Sequence, residues 1–207
     1  MARGKLTIFM GNMFANKTGS MMQHVKTMRK FADKRVLVLK PQTDTRSGKS
    51  RIKNFNGKTM RAHEISPEKP FAALGTITKT ERLLGRKLDT IAFDEVQFFG
   101  VESKFFNLVD ELLRQGYNVI AAGLMLDFKG EPFGSTLLLI GLCDSVTDIH
   151  LLTPFCKKCG NPAPLPQRLI NGKPAAYDAP QIKVGGKEAY EARCHTCHEL
   201  PNRPTFL

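Results

Sequence analysis

The sequence lacks long hydrophobic runs, internal repeats and low-complexity tracts. No apolar segment approaches the roughly 18 residues that a membrane-spanning helix needs, so we expect no membrane association. The apolar stretch near the N-terminus is only LTIFM (6–10), and we therefore expect no secretory signal. The 207 residues are 42% hydrophobic and 24% charged, as in globular proteins. We expect a cytoplasmic protein with one large core and a small appendage.

Cysteine is also scarce, and its placement is informative. Four of the five cysteines form two C-x-x-C pairs near the C-terminus. They are Cys156, Cys159, Cys194 and Cys197. In a reducing compartment such pairs favour metal binding over disulfides, and four thiolates suit tetrahedral zinc. We predict a structural zinc site, because nothing in the pattern indicates an open coordination position; the adjacent His195 and His198 are interpreted as bystanders.

Acidic residues are few in the first half. Residues 1–87 hold 20 Lys and Arg against 5 Asp and Glu, whereas residues 88–207 hold 11 against 14. No acid lies between Thr45 and His63, a stretch that we interpret, over about 43–61, as a flexible basic lid. The asymmetry indicates an anionic partner, either nucleotide phosphate or nucleic acid, although a solvated basic surface explains the same charges.

Strand and helix patterns alternate along the first three quarters of the chain. The predicted strands are 6–10, 36–40, 89–95, 118–123 and 145–152. The predicted helices are 18–34, about 78–84, 101–115 and 134–142. This alternation indicates an α/β fold with a parallel sheet covered by helices on both faces. The pattern changes after Thr153, so we predict an α/β nucleotide-binding domain (1–152) and a small zinc-binding domain (153–207).

The segment GNMFANKTG (11–19) follows the first predicted strand and nearly matches the phosphate-binding pattern G-x-x-x-x-G-K-[ST]. In such loops, backbone N–H groups and the lysine bind phosphates, and the following hydroxyl binds Mg²⁺. Asn16 stands where the pattern has glycine. Asparagine is the non-glycine residue that best tolerates left-handed backbone, so either a working loop or a chance match remains open on this segment alone.

Two acids end another predicted buried strand in IAFDEVQFF (91–99). An aspartate at such a position can hold Mg²⁺, and a neighbouring glutamate can accept a proton from an attacking hydroxyl. A solvated turn would also place Asp94 and Glu95 here. The presence of both motifs in this order, each on a buried strand, favours a nucleotide site.

Six motifs together resemble those of the cytosolic, zinc-containing (type II) thymidine kinases of bacteria, large DNA viruses and animals. They are the phosphate loop from residue 11, Asp44-Thr45-Arg46, DEVQFF (94–99), DFKGEPFG (127–134), the two C-x-x-C pairs and VGGKEAYEARC (184–194). Together they span the whole chain. The resemblance implies a RecA-like P-loop fold and a zinc ribbon that carries a substrate-covering lasso loop.

The resemblance also implies roles for individual residues. Glu95 corresponds to the general base that takes the proton from the nucleoside 5′-hydroxyl. Contacts to ATP, its phosphates and Mg²⁺ are implied for Gly11, Asn12, Met13, Phe14, Ala15, Asn16, Lys17, Thr18, Asp44, Arg46, Asp94 and Gln97. Contacts to the nucleoside are implied for Met13, Phe98, Leu124, Phe128, Phe133, Gln181, Ile182, Lys183, Val184, Gly185 and Tyr190. Without the resemblance, the apolar members of this set predict only core packing.

The implied reaction converts ATP and thymidine to ADP and dTMP in deoxynucleotide salvage, with deoxyuridine as a second candidate substrate. A homotetramer and feedback inhibition by dTTP are implied as well. Two departures from the family pattern stand out: Asn16 in the loop, and Pro166 where a T-x-R element is expected. The first leaves open a weakened nucleotide- or nucleoside-binding homologue, and the second leaves open discrimination between thymidine and deoxyuridine.

A nucleic-acid-binding ATPase with a zinc ribbon is a third hypothesis. The basic first half favours it. The basic residues nevertheless cluster beside Asp44-Thr45-Arg46, and no aromatic residues for base stacking alternate with them. We therefore expect no nucleic-acid partner.

Overall fold

The computed structural model describes residues 2–46, 48–183 and 189–205. Its strands are β1 (Leu6–Gly11), β2 (Val36–Pro41), β3 (Arg51–Lys53), β4 (Thr59–Arg61), β5 (His63–Ile65), β6 (Thr90–Phe93), β7 (Asn118–Leu124), β8 (Ile149–Leu152), β9 (Leu165–Ile170), β10 (Lys173–Pro174) and β11 (Tyr190–Arg193). Its α-helices are α1 (Lys17–Phe31), α2 (Ala73–Leu84) and α3 (Phe105–Arg114). Six strands form a parallel sheet in the order β5-β2-β6-β7-β1-β8.

The central strands are buried on both faces, which explains why they read as continuous apolar runs. Consecutive residues of β1 enter different cores: Ile8 packs in the cluster that contains Leu108 of α3, and Phe9 in the cluster that contains Met21 and Val25 of α1. The sheet is therefore covered by helices on both sides. The predicted α/β class is confirmed.

Several helices and strands have other bounds in the structure than the sequence predicts. Residues 134–142 are not an α-helix, and only Leu138–Leu142 form a 3-10 helix. Gly134 explains why no α-helix begins there. Its φ of 54° is not helical, and its Cα packs against the backbone of Gln97, where a Cβ would lie 1.9 Å from the carbonyl oxygen. The predicted strand 145–152 shortens to β8, since Val146–Asp148 is a 3-10 turn. The helix expected near 78–84 is longer and begins at Ala73.

Smaller sheets accompany the central one. Strands β3 and β4 pair as an antiparallel hairpin inside the basic segment, and β10, β9 and β11 form an antiparallel sheet after β8. The division of the chain at residue 152 into two domains stays a prediction. Among the residues described, no helix is long and apolar enough to cross a membrane.

Asp89 joins the starts of two neighbouring strands, β2 and β6. Its Oδ2 accepts hydrogen bonds from the backbone N–H (2.9 Å) and the Nε (2.8 Å) of Arg35, and its Oδ1 lies 3.4 Å from the Nζ of Lys34. Partial burial would raise the pKa of Asp89, but the bonds from Arg35 outweigh it and hold the pKa at about 2. The ionised carboxylate therefore stabilises the folded chain.

Replacing this carboxylate should destabilise the protein in a pH-dependent way. Because the folded pKa is depressed, its contribution is complete above the unfolded pKa near 3.8 and is lost as the pH falls towards 2. We expect Asp89→Asn to lower the free energy of unfolding by about 1–2 kcal/mol at pH 7. Urea unfolding should show this deficit roughly halved at about pH 3.

Asp110→Asn is the matched control, since Asp110 pairs with two exposed arginines, Arg114 at 2.7 Å and Arg3 at 3.7 Å. Exposed i,i+4 pairs contribute only about 0.3–0.5 kcal/mol. Equal losses in the two variants, or a deficit in Asp89→Asn that does not change with pH, would contradict the assignment.

Candidate functional site

The loop between β1 and α1 contains two backbone conformations that few residue types adopt. Gly11 has a φ of 148°, and a Cβ there would lie 1.9 Å from the carbonyl oxygen of Leu152, so no larger residue fits. Asn16, the residue before α1, adopts the left-handed conformation with φ 58° and ψ 31°. Asparagine tolerates this conformation better than most residues, so the departure from glycine leaves the local backbone intact.

Lys17 and Thr18 connect this loop to the acidic end of β6. Lys17 is only 8% exposed, and its Nζ donates to the carbonyl oxygen of Asn12 at 2.7 Å. Burial lowers the pKa of Lys17 to about 8, although Glu95 and Asp94 act in the opposite direction. The Thr18 hydroxyl donates to Oδ1 of Asp94 at 3.0 Å. The two sequence motifs therefore meet at the carboxyl edge of the sheet.

Glu95 is held by hydrogen bonds on both carboxylate oxygens. Arg46 donates to one oxygen and Gln97 to the other, and the backbone of Glu95 is left-handed with φ 51°. Burial alone would raise the pKa of Glu95, but the positive charges of Arg46 and Lys17 outweigh it, and the pKa lies below its usual value. Burial and the charge of Glu95 instead raise the pKa of Asp94 to about 8.

The base of the basic lid is anchored by a buried lysine. Lys40 is fully buried, and its Nζ donates to the carbonyl oxygens of Asp44 (2.8 Å) and Gly48 (2.7 Å) and lies 3.5 Å from a carboxylate oxygen of Glu64. The Nε of Arg46 donates to Oδ1 of Asp44 at 2.7 Å. Lys40 therefore supports the loop that directs Arg46 towards Glu95.

A cavity of about 250 Å³ opens beside these groups. Of the predicted contacts, the cavity is lined by Met13, Phe14, Asn16, Lys17, Thr18, Asp44, Arg46, Glu95, Gln97, Phe98, Leu124, Phe128, Phe133, Gln181, Ile182, Lys183 and Tyr190. Charged groups and an apolar, aromatic wall thus share one cavity; in that wall the rings of Phe98 and Phe133 meet edge to face at 6.1 Å.

Arg168 organises the part of the wall that comes from the C-terminal segment. Its guanidinium lies 4.0 Å from the ring centroid of Phe128, and its Nε donates to the hydroxyl of Tyr190 at 3.0 Å. Its Nη2 donates to the carbonyl oxygen of Gln181 at 2.7 Å. The Tyr190 hydroxyl donates in turn to the carbonyl oxygen of Lys183 at 2.8 Å. One buried arginine therefore connects Gln181 with Tyr190.

The four cysteines predicted as ligands come together. The sulfurs of Cys156, Cys159, Cys194 and Cys197 all lie within 4.8 Å of one another. The Nε2 of His198 lies 3.0 Å from the carbonyl oxygen of Phe128, and His198 is not part of the cluster.

Comparison with known proteins agrees with this geometry. The family model described as thymidine kinase matches residues 4–198. A curated thymidine kinase from Coprothermobacter proteolyticus is 39% identical over 204 residues, which cover 99% of this chain and 95% of that protein. The chain belongs to the thymidine kinase family. It is therefore an enzyme, and the resemblance drawn from the motifs is confirmed.

Four residues predicted to contact ATP or Mg²⁺ do not line the cavity of this thymidine kinase family member. They are Gly11, Asn12, Ala15 and Asp94. Gly11 packs on Leu152, Asn12 accepts from Lys17, and Asp94 accepts from Thr18. Val184 and Gly185, predicted lasso contacts, lie outside the described residues.

The cavity is also lined by Pro166 and Arg168, at the position of the expected T-x-R element. Further lining residues were not assigned from the sequence; they are Gly19, Lys53, Asn54, Phe55, Leu126 and Asp127. Asp127 begins the motif DFKGEPFG and Leu126 precedes it, so proximity to that motif was a usable signal. Phe55 lies in the basic lid and meets Phe14 edge to face at 5.6 Å. No periodicity in that segment indicates this contact.

The cysteine cluster fits zinc by its donor chemistry, because four thiolates at mutual distances within 4.8 Å match a tetrahedral site. We expect Cys194→Ser to reduce bound zinc from about one ion per chain to nearly none and to lower Tm, since metal binding is coupled to folding. Zinc content by elemental analysis and thermal unfolding would measure both. Cys143→Ala, at a cysteine outside the cluster, is the control and should keep its zinc.

Proposed function

We propose that this protein transfers the γ-phosphoryl group of ATP to the 5′-hydroxyl of thymidine, giving ADP and dTMP for deoxynucleotide salvage in the cytoplasm. Membership in the thymidine kinase family supports thymidine as the acceptor. The observation that carries the proposal is the single cavity in which Lys17, Thr18 and Arg46 share the lining with an aromatic wall and Glu95. A phosphate donor and the aromatic ring of a nucleoside base can therefore meet beside a carboxylate.

Glu95 would act as the proton acceptor. The 5′-oxygen forms a bond to the γ-phosphorus, the bond between that phosphorus and the oxygen bridging to the β-phosphate breaks, ADP leaves, and the 5′-hydroxyl proton passes to Glu95. The carboxylate is ionised because Arg46 and Lys17 lower its pKa despite burial. Glu95 also helps to orient the hydroxyl, because phosphoryl transfer depends mainly on positioning and charge stabilisation.

Lys17 and Arg46 would stabilise the negative charge of the transferring group. Thr18 and Asp94 are the residues that would hold Mg²⁺, which neutralises charge on the outer phosphates when it is bound. Their oxygens suit a hard cation, and Asp94, only 2% exposed, is a buried carboxylate that a cation would stabilise.

The nucleoside would lie against the aromatic wall, with its polar edge towards the backbone of Gln181–Lys183. Arg168 and Tyr190 fix this backbone by hydrogen bonds, so its N–H and C=O groups are held in place. A pyrimidine that leaves such groups unpaired loses about 1–3 kcal/mol of binding. Pro166 lines the same cavity, and we therefore propose deoxyuridine as the first competing substrate to compare with thymidine.

A homotetramer and inhibition by dTTP are further proposals, supported by the family resemblance. The alternative function is a homologue in which Asn16 has weakened catalysis while binding persists. The kinase is favoured over it because Asn16 adopts a left-handed backbone that glycine also adopts readily.

Removing the carboxylate of Glu95 tests the proposal directly. We expect Glu95→Gln to lower kcat for phosphate transfer from ATP-Mg²⁺ to thymidine by about 100-fold or more, since general base catalysis contributes about 10²–10⁴. Zinc content should stay near that of the unmodified protein, whereas Tm should fall, because the variant removes the buried partner of Arg46. Glu102→Gln, at an exposed residue outside the cavity, is the matched control and should keep full turnover. Full turnover in Glu95→Gln would refute Glu95 as the base.

A further inference from the structure

Asn16 occupies a glycine position of the phosphate loop, and Gly19 makes room for its side chain. A Cβ on Gly19 would lie 2.1 Å from Oδ1, 2.6 Å from Cγ and 2.7 Å from Nδ2 of Asn16. These distances are shorter than any van der Waals contact. The carboxamide of Asn16 therefore lies directly over the Cα of Gly19, in space that every other residue type at position 19 would fill.

The Asn16 side chain does not cap helix α1. An asparagine at this position usually accepts a hydrogen bond from an N–H of the first turn, with its own backbone in the β region. Here the backbone is left-handed, and the side chain makes no capping bond. The N–H groups of the first turn are therefore left for another acceptor, as in anion-binding helix termini.

The carboxamide lies at the charged end of the cavity. Asn16 is exposed and lines the same cavity as Lys17, Thr18, Gly19 and Arg46. Its NH₂ group offers two hydrogen-bond donors, and phosphate oxygens are strong acceptors. A glycine at position 16 would offer no side-chain donor.

We propose that Asn16 and Gly19 form a coupled pair in which the Asn16 carboxamide donates a hydrogen bond to a phosphate of the bound nucleoside triphosphate. Because Gly19 has no side chain, the carboxamide has room to occupy the position from which it can donate. The proposal rests on the proposed function for the identity of the phosphate donor. On this proposal, Asn16 strengthens phosphate binding relative to glycine and does not weaken the loop.

A double-mutant cycle tests the pair with ATP-Mg²⁺ as the probe. Calorimetry without thymidine would give Kd for Asn16→Gly, Gly19→Ala and the double variant. We expect Asn16→Gly to raise Kd about 10- to 100-fold, as for one lost hydrogen bond to a charged group. Gly19→Ala should raise Kd about as much, because its methyl group displaces the carboxamide. The double variant should bind no more weakly than Asn16→Gly.

Two further measurements separate phosphate binding from a general structural effect. KM for ATP should rise in both single variants, while KM for thymidine stays unchanged. Gly75→Ala in α2 is the matched control, since a Cβ there meets no atom within 4 Å. It should raise Tm by about 2–4 °C through helix propensity and leave Kd for ATP unchanged. Gly19→Ala should raise Tm by a similar amount in the double variant with Asn16→Gly, but not as a single variant, where its methyl group meets the Asn16 carboxamide.

If the Kd increases of the two single variants multiply in the double variant, Asn16 and Gly19 act independently and the proposed coupling is wrong. Tighter ATP binding or faster turnover in Asn16→Gly would overturn the hydrogen bond and favour the weakened-homologue function. If the unmodified protein binds ATP but phosphorylates no nucleoside, the proposed function fails. The Kd values of the double-mutant cycle would still show whether Asn16 and Gly19 are coupled in ATP binding. Failure of the unmodified protein to bind ATP would overturn the pair itself.

Discussion

The balance of buried charge at the carboxyl edge of the sheet is the constraint on which the site depends. Asp44, Asp94 and Glu95 are 3%, 2% and 8% exposed, so three carboxylates lie almost out of water within one small region. Isolated charges in such surroundings are strongly unfavourable unless they are paired and hydrogen-bonded. Arg46 pairs with Asp44 and Glu95, and the positive charge of Lys17 acts on Glu95 and Asp94. Burial and the charge of Glu95 are relieved at Asp94 by a raised pKa.

That requirement explains the unusual backbone around the site. Glu95 adopts a left-handed conformation, which is uncommon for a residue of its size, and both of its oxygens are nevertheless hydrogen-bonded. Lys40 is buried beneath the lid and holds the carbonyl oxygen of Asp44, which brings Arg46 within reach of Glu95. The lid is thus partly ordered by the charges that it covers.

Much of the fold could be predicted from the sequence because its central strands are buried on both faces and read as apolar runs. The loop and the acidic pair could be predicted for a related reason, since polar motifs at strand ends collect at one edge of a parallel sheet. The 3-10 segment after Gly134 could not, because its conformation follows from contact with the backbone at Gln97. Likewise, the space that Gly19 gives to Asn16 depends on side-chain direction, which no spacing rule encodes.

The separation of the contributing residues along the chain has a consequence for folding. The amide of Asn12 in the phosphate loop donates to the carbonyl oxygen of Ala163, 151 residues later, at 2.8 Å. His198 likewise reaches the carbonyl oxygen of Phe128, 70 residues earlier. Contacts between distant segments carry a large loop-closure entropy and slow the folding of the regions that need them. Completion of the cavity therefore requires segments from the beginning and the end of the chain to come together.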